Sequence, residues 1–226
     1  MGDFIIDNSP GLWRQLIQSV NIDELDINGG ALFLDRDGVI VEEVNYLHCV
    51  DDLHLIPGAA TAITRANAKS IPVVIVTNQS GVGRGYYDWA AFAALQNELL
   101  KRLGADGATV NMVLACGYHK DALPPYRNDN HPWRKPSPGM LQSAAEVLGF
   151  DLARSWLVGD SHSDIDAARQ AGLAGAVHVL TGHGCRDRAK IKSQPWPELD
   201  IRFAGSIGDI SKDMTALFEP SPDQVG

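Results

Sequence analysis

Short apolar runs of strand length alternate with stretches of helical period along the chain. Ala31 to Leu34 is the first run and Ile71 to Val76 the second; Val110 to Ala115, Ser155 to Val158 and Ala176 to Leu180 follow, with Ile201 to Ala204 a weaker sixth. None alternates with polar residues, so each predicts a strand buried on both faces. Behind Asp88, a good N-cap, Phe92, Leu95, Leu99 and Leu103 recur at three- and four-residue steps, and Gly104 supplies a stop. Ser137 and Pro138 predict the N-cap and first position of a helix through Leu148. Ile207, Ile210, Met214 and Leu217 predict a last helix, with Ser206 and Asp209 as its capping box. Leu12, Leu16, Ile17 and Val20 share one possible helix face, which predicts a helix packed on the domain.

Alternating strands and helices are the signature of an α/β fold with a doubly wound parallel sheet. The expected organisation is a helical extension over residues 1–28, a single domain over 29–219 and a flexible tail over 220–226. Ligands of such sheets sit outside the carboxyl ends of the strands, which directs attention to the residues after each run.

Composition narrows the class. The 226 residues are 45% hydrophobic and 21% charged, which is globular and argues against disorder or a coiled coil. A net charge of −9 argues against non-specific binding to nucleic acid or an anionic membrane. No apolar run approaches the ~20 residues of a membrane span. Met1 to Asn8 lack the pattern of a secretory signal, and Cys49, Cys116 and Cys185 are too few for a disulfide framework. The expectation is a soluble, cytoplasmic monomer.

Four strand ends or helix starts carry candidate chemistry. Asp35-Arg36-Asp37-Gly38 places two carboxylates where one can coordinate a hard cation and one can attack an electrophile or move a proton; an ordinary acidic loop reads the same way. Thr77-Asn78-Gln79-Ser80-Gly81 offers a hydroxyl, an amide and free backbone N–H groups suited to a phosphate, or simply a helix cap. Lys135, before the Ser137 helix, can neutralise a phosphate and a carboxylate, or be a solvated charge. Asp160 and Asp164, four apart at a strand-to-helix turn, can face one cation; the alternative is a cap with a dipole-favoured aspartate.

The order Asp-x-Asp, Thr-Asn, Lys, Asp-x3-Asp resembles the four motifs of the haloacid dehalogenase-like (HAD) phosphohydrolase superfamily, from about Ala31 to Leu180. Phe33 to Gly38, Thr77 to Gly81 with Arg84-Gly85, and Arg134-Lys135-Pro136 with Pro138-Gly139-Met140 are similar to the branch of heptose-1,7-bisphosphate 7-phosphatases and histidinol phosphatases. Asn45 and Tyr46 stand where that branch carries a Gly-Tyr specificity loop, with Asn45 in place of glycine.

The resemblance implies a Rossmann-like core and phosphoryl transfer to Asp35, with Asp37 protonating the leaving alcohol and then activating water. It implies Mg²⁺ held by Asp35, the Asp37 carbonyl and Asp160, with Asp164 in support. Lys135 would neutralise charge, and Thr77 with the Asn78 N–H would hold phosphoryl oxygens. Only 42 positions separate Asp35 from Thr77, and 58 separate Thr77 from Lys135, too few for a cap domain in either interval. Specificity then falls to loops, with Val41 to Leu55, the Arg84 turn and the Cys116 to Arg134 loop with its Tyr118, Tyr126 and Trp133 as candidates, and Arg84 and Arg134 are candidate grips for a second anionic group.

The branch usually carries a zinc loop of Cys-x-His and Cys-x-Cys, whereas this chain has Cys116, His119 and His131. Those three can form part of a structural Zn²⁺ site, or the loop can be metal-free and held by packing. His48, His54, His162, His178 and His183 read as ordinary surface or core residues, with His162 the one to watch beside Asp160. The expected activity is Mg²⁺-dependent hydrolysis of a small phosphorylated metabolite, a sugar bisphosphate such as heptose 1,7-bisphosphate. Histidinol phosphate or a nucleotide is the nearest alternative, and a phospho-receiver domain or a catalytically silent binding protein the remote ones.

Overall fold

The apolar runs become strands of one sheet in the computed structural model, which describes residues 10–17, 29–211 and 214–218. Seven strands are found among the described residues: β1 (Leu12–Leu16), β2 (Leu32–Leu34), β3 (Val73–Asn78), β4 (Met112–Cys116), β5 (Trp156–Gly159), β6 (Gly175–His178) and β7 (Asp200–Phe203). The helices are α1 (Ala59–Asn67), α2 (Ser80–Arg84), α3 (Trp89–Ala105), α4 (Gly139–Leu148), α5 (His162–Ala171), α6 (Gly184–Ser193) and α7 (Ile207–Ile210). Their spatial order is β1-β4-β3-β2-β5-β6-β7, with every neighbouring pair parallel except β1 and β4.

Successive side chains of a strand point to opposite faces, and here both faces are dry. Leu32, Leu34, Val73, Ile75, Val113 and Val158 pack on one side with Ile63 of α1 and Phe92, Leu95 and Leu99 of α3. Phe33, Val74, Val76, Met112, Leu114 and Leu157 pack on the other with Met140 and Leu141 of α4 and Ile165 of α5. This is the α/β doubly wound core, and it explains why the central runs are continuously apolar. The weak run 201–204 has a separate reason: β7 is an edge strand with largely exposed side chains.

The N-terminal helix is the main correction. Leu12 and Leu16 lie in a strand antiparallel to β4, with Leu12 opposite Cys116 and Leu16 opposite Met112. A spacing of four satisfies a strand's period of two as well as a helix's 3.6. Trp13 turns to the other face and packs on Trp89 and Phe92, with ring centroids 5.8 and 5.3 Å away. Ile17 follows the strand, and its N–H donates to the Asn111 carbonyl. Val20 and the 220–226 tail lie outside the described residues.

Smaller corrections concern helix ends. Ser137 does not cap α4: the Ser137 N–H donates to Arg134 O and the Gly139 N–H to Pro132 O, so the chain turns once more and the cap falls on Pro138. α3 runs one residue past Gly104. The last helix divides into α7, with the expected Ser206–Asp209 capping box, and a 3-10 turn at Met214–Leu217.

Register positions the site. Leu34 of β2 pairs with Ile75 of β3 on one side and Val158 of β5 on the other. Asp35, Thr77 and Asp160 therefore emerge side by side at the carboxyl edge of the sheet. Among the described residues no separate cap domain interrupts the chain.

Candidate active site

Asp35 is the first residue past β2, its N–H donating to Val158 O. One of its oxygens, Oδ1, accepts from the Arg36 N–H at 2.8 Å and lies 3.0 Å from Nζ of Lys135. Lys135 is buried, and its Nζ also lies 2.6 Å from Asp164 Oδ1 and donates to Val76 O. Asn78 aligns this lysine, because its side-chain amide donates to the Lys135 carbonyl and accepts from the Lys135 N–H.

Asp160 follows β5. Its Oδ2 accepts from the His183 N–H at 2.6 Å. Gly38 and Gly182 meet around this carboxylate, and a Cβ on either would collide with Oδ2. Both glycines have positive φ, so only a residue without a side chain serves at these two points. Asp164 is inside the first turn of α5, where it completes a capping box with Ser161.

Asp35, Asp160 and Asp164 each present a carboxylate oxygen within 4.8 Å of the others. Burial pushes the Asp35 carboxyl up to about 7 against the pull of Lys135, with Asp164 and Asp37 adding to the rise. Burial, then the charges of Asp35 and Asp164, push Asp160 up to about 8. Burial alone would lower the Lys135 ammonium, but Asp164 and Asp35 outweigh it and hold the ammonium above the ordinary lysine range. Asp160 and Asp164 are buried and Asp35 partly so, and when all three are ionised their charge exceeds that of the one ammonium facing them. An all-oxygen acidic set of this kind fits a hard cation such as Mg²⁺.

Asp37 sits beside this group in a donor-rich setting. Nε of Arg36 lies 3.2 Å from both carboxylate oxygens and Nη2 lies 3.0 Å from Oδ1. Gln79 donates to Asp37 Oδ2 at 2.9 Å and to the Thr77 hydroxyl at 2.8 Å. The Tyr87 hydroxyl donates to Gln79 Oε1, which fixes the amide's orientation. Arg36 is itself buried, with its guanidinium 5.3 Å from the centroid of the Phe92 ring.

A cavity of about 310 Å³ opens over these residues. Asp35, Asp37, Thr77, Asn78, Lys135 and Asp160 line it, together with Asn45, Tyr46 and Arg134. Tyr46 holds a left-handed backbone (φ 57°) where the related branch has a Gly-Tyr pair, and its ring packs edge-on against Tyr86. Glu43, Tyr87 and Arg186 also line the cavity without a signal in the sequence, and so does His183, which reads there as an ordinary surface or core residue. Burial, then the charge of Asp37, pushes the Glu43 carboxyl up to about 7.

Three expectations are corrected. Arg84 does not line the cavity: its Nη2 lies 3.3 Å from the His119 ring and 3.4 Å from Asp121, because α2 carries it toward the 117–134 loop. Cys116, His119 and His131 are not brought together as zinc ligands. Cys116 is buried at the end of β4, His119 is taken up by Arg84 and the Asp121 N–H, and His131 stacks on Tyr118 at 4.2 Å. His162 turns to Gln194 and Trp196, whereas His178 and the His183 backbone reach Asp160.

Carboxylates and a buried lysine gathered past the central strands of a doubly wound sheet define a phosphohydrolase of the HAD-like class. The HAD-hydrolase-like family model matches residues 132–201. The chain is 45% identical over 165 residues to the D-glycero-beta-D-manno-heptose-1,7-bisphosphate 7-phosphatase of Mesorhizobium japonicum, covering 73% of this chain and 75% of that protein. A HAD-like phosphatase structure from Mesorhizobium loti superposes with a TM-score of 0.81 at 37% identity, covering 95% of this chain and 98% of the other. A D,D-heptose 1,7-bisphosphate phosphatase from B. bronchiseptica, complexed with magnesium and phosphate, gives 0.71 at 31% identity, covering 83% and 98%. The chain belongs to the heptose-1,7-bisphosphate 7-phosphatase family of HAD-like phosphatases, and is a phosphoric monoester hydrolase.

Proposed function

We propose that the chain hydrolyses a phosphate ester of a small sugar bisphosphate, D-glycero-D-manno-heptose 1,7-bisphosphate, releasing the 7-phosphate through an aspartyl-phosphate on Asp35. The observation that carries the reading is Lys135, whose buried ammonium touches Asp35 beside a carboxylate set in surplus of negative charge. Asp35 attacks phosphorus, and the ester oxygen leaves with a proton from Asp37. Asp37 then takes a proton from the water that opens the acyl-phosphate, so Asp35 is regenerated and inorganic phosphate released. Arg36 and Gln79 hold the Asp37 carboxyl in one place for both proton transfers.

Mg²⁺, held by Asp35, Asp160 and the Asp37 carbonyl with Asp164 in support, would supply the charge that lets an anionic nucleophile meet an anionic phosphate. Lys135 supplies the rest, and the Thr77 hydroxyl orients phosphoryl oxygens. Asn78 supports the reading through the Lys135 peptide and its own backbone N–H. Arg134 lies in the cavity wall with Nη1 on the Tyr118 carbonyl, leaving its remaining donors for the second phosphate of a bisphosphate. Asn45 and Tyr46 face the sugar.

The test is inorganic phosphate release from heptose 1,7-bisphosphate with Mg²⁺, beside histidinol phosphate, for wild type and Asp35→Asn. Release from the bisphosphate that vanishes in Asp35→Asn supports both substrate and nucleophile. Release from histidinol phosphate alone overturns the sugar assignment and keeps the mechanism.

A further inference from the structure

Asp160 is held from behind by His178, which is in turn held by Arg188, and the proposed chemistry uses neither side chain. His178, the last residue of β6, is fully buried, and its Nε2 lies 3.0 Å from the Asp160 carbonyl oxygen. Its Nδ1 lies 2.8 Å from Nε of Arg188 on α6. A guanidinium carries only donors, so Nδ1 accepts. The neutral ring then holds its proton on Nε2 and donates it to the Asp160 carbonyl. The tautomer follows from the partner.

Arg188 is tied in turn. Its Nη2 donates to the carbonyls of His178 at 3.0 Å and Ala204 at 2.6 Å, and its guanidinium lies 4.9 Å from the centroid of the Phe203 ring. The ends of β6 and β7 are thereby clipped to α6. The loop between β6 and α6 reaches the site from the other side. The Thr181 hydroxyl donates to Gly38 O, and the His183 N–H donates to the Asp160 carboxylate. Asp160 is thus fixed at its peptide by His178 and at its side chain by His183, and Arg188 joins both to one rigid unit.

We propose that His178 and Arg188 are positioning residues for Asp160 as a Mg²⁺ ligand. The inference rests on the reading of Asp160 given above. An apolar side chain at 178 would fill the volume but leave the Asp160 carbonyl without its ring donor and Nε of Arg188 without its acceptor. Partners that orient a metal ligand typically contribute 10–100-fold to metal affinity.

The experiment is titration of the substrate-free protein with Mg²⁺ by calorimetry, beside the urea midpoint without metal. His178→Leu is expected to bind Mg²⁺ roughly 10–100-fold more weakly. With Mg²⁺ saturating, its KM should stay near the wild-type value. His178→Gln, whose amide N–H can donate to the same carbonyl, is expected to recover most of the affinity. Arg188→Met, at a half-buried position, is expected to weaken Mg²⁺ several-fold, and it decides the matter if His178→Leu does not fold. Wild-type Mg²⁺ affinity in a folded His178→Leu, or in Arg188→Met where the former does not fold, overturns the proposal. Asp160→Asn separates the two levels. If it still binds Mg²⁺, the ligand assignment fails and the positioning role falls with it; if it does not, the His178 and Arg188 results stand alone.

Discussion

Nζ of Lys135 stands 2.6 Å from Asp164 Oδ1, closer than its 3.0 Å to Asp35. Asp164 is wholly buried and its other oxygen is committed to the cap of α5, so it cannot follow the lysine elsewhere. It therefore fixes the direction from which the ammonium meets Asp35. Removing one partner of a buried ion pair strands the other, and such losses cost about 3–5 kcal/mol. Lys135→Met should lose that much stability in urea unfolding without metal, and kcat should fall by roughly 10²–10³, the scale of losing one electrostatic contact to the reacting group. Added Mg²⁺ should return part of the stability and little of the rate.

The path from Tyr87 to Asp37 runs through one amide. The Tyr87 hydroxyl holds Gln79 Oε1, which aims the Gln79 Nε2 at both Asp37 and Thr77. Tyr87→Phe frees the amide to rotate and present its oxygen to Asp37, a repulsive contact. Stability should change by about 1 kcal/mol, the net worth of one hydrogen bond. The expected signature is a fall in kcat with little change in KM, measured in steady state. A change confined to KM would mean that Tyr87 acts on substrate alone.

The sequence made legible whatever depends on position along the chain. Asp35, Thr77, Asn78 and Asp160 were readable because each lies at or just past the end of a buried strand, and parallel register puts such residues side by side. Lys135 was readable from its place before α4. Directions taken by long side chains were not: Arg84 and Arg134 look alike in sequence, but α2 turns one away and the 117–134 loop turns the other in. Glu43 and Tyr87 reach the cavity from loops whose return path only packing decides. β1 was missed because its i, i+4 spacing fits both periods. His178 did leave a signal, a titratable residue at the end of an otherwise apolar strand, which was read as ordinary core.

Glu43 gives a pH dependence with a definite sign. Its carboxyl is raised from 4.5 to about 7 by burial and then by Asp37. Between those values the unfolded chain releases a proton that the folded chain keeps, so this group's contribution falls as pH rises from about 4.5 to 7 and is level beyond that window. Glu43→Gln removes the dependence. Relative to wild type, the variant should be near neutral at pH 4 and more stable at pH 8, read as urea midpoints at both values. The cavity wall keeps its shape, so heptose bisphosphate turnover in the variant then reports whether this carboxylate contacts substrate. An equal midpoint difference at both pH values would show that Glu43 is not held protonated by its surroundings.

The surplus negative charge at Asp35, Asp160 and Asp164 makes a counter-intuitive prediction about metal. Without Mg²⁺ the folded chain must either keep protons on carboxyls raised to about 7 and 8 or let like charges oppose one another, so at pH 8 Asp160→Asn should melt above the metal-free wild type. Asparagine keeps an oxygen for the His183 N–H, which preserves the bond that anchors the side chain. With Mg²⁺ the order should reverse. A ligand at 100 times its dissociation constant stabilises the folded state by about 2.7 kcal/mol, and only the wild type should show that gain. Thermal melts of both proteins across a Mg²⁺ series test this directly. Parallel responses in the two proteins would remove Asp160 from the metal site, whereas a crossing of the two curves would show that the carboxylate destabilising the empty site is the one that holds the cation.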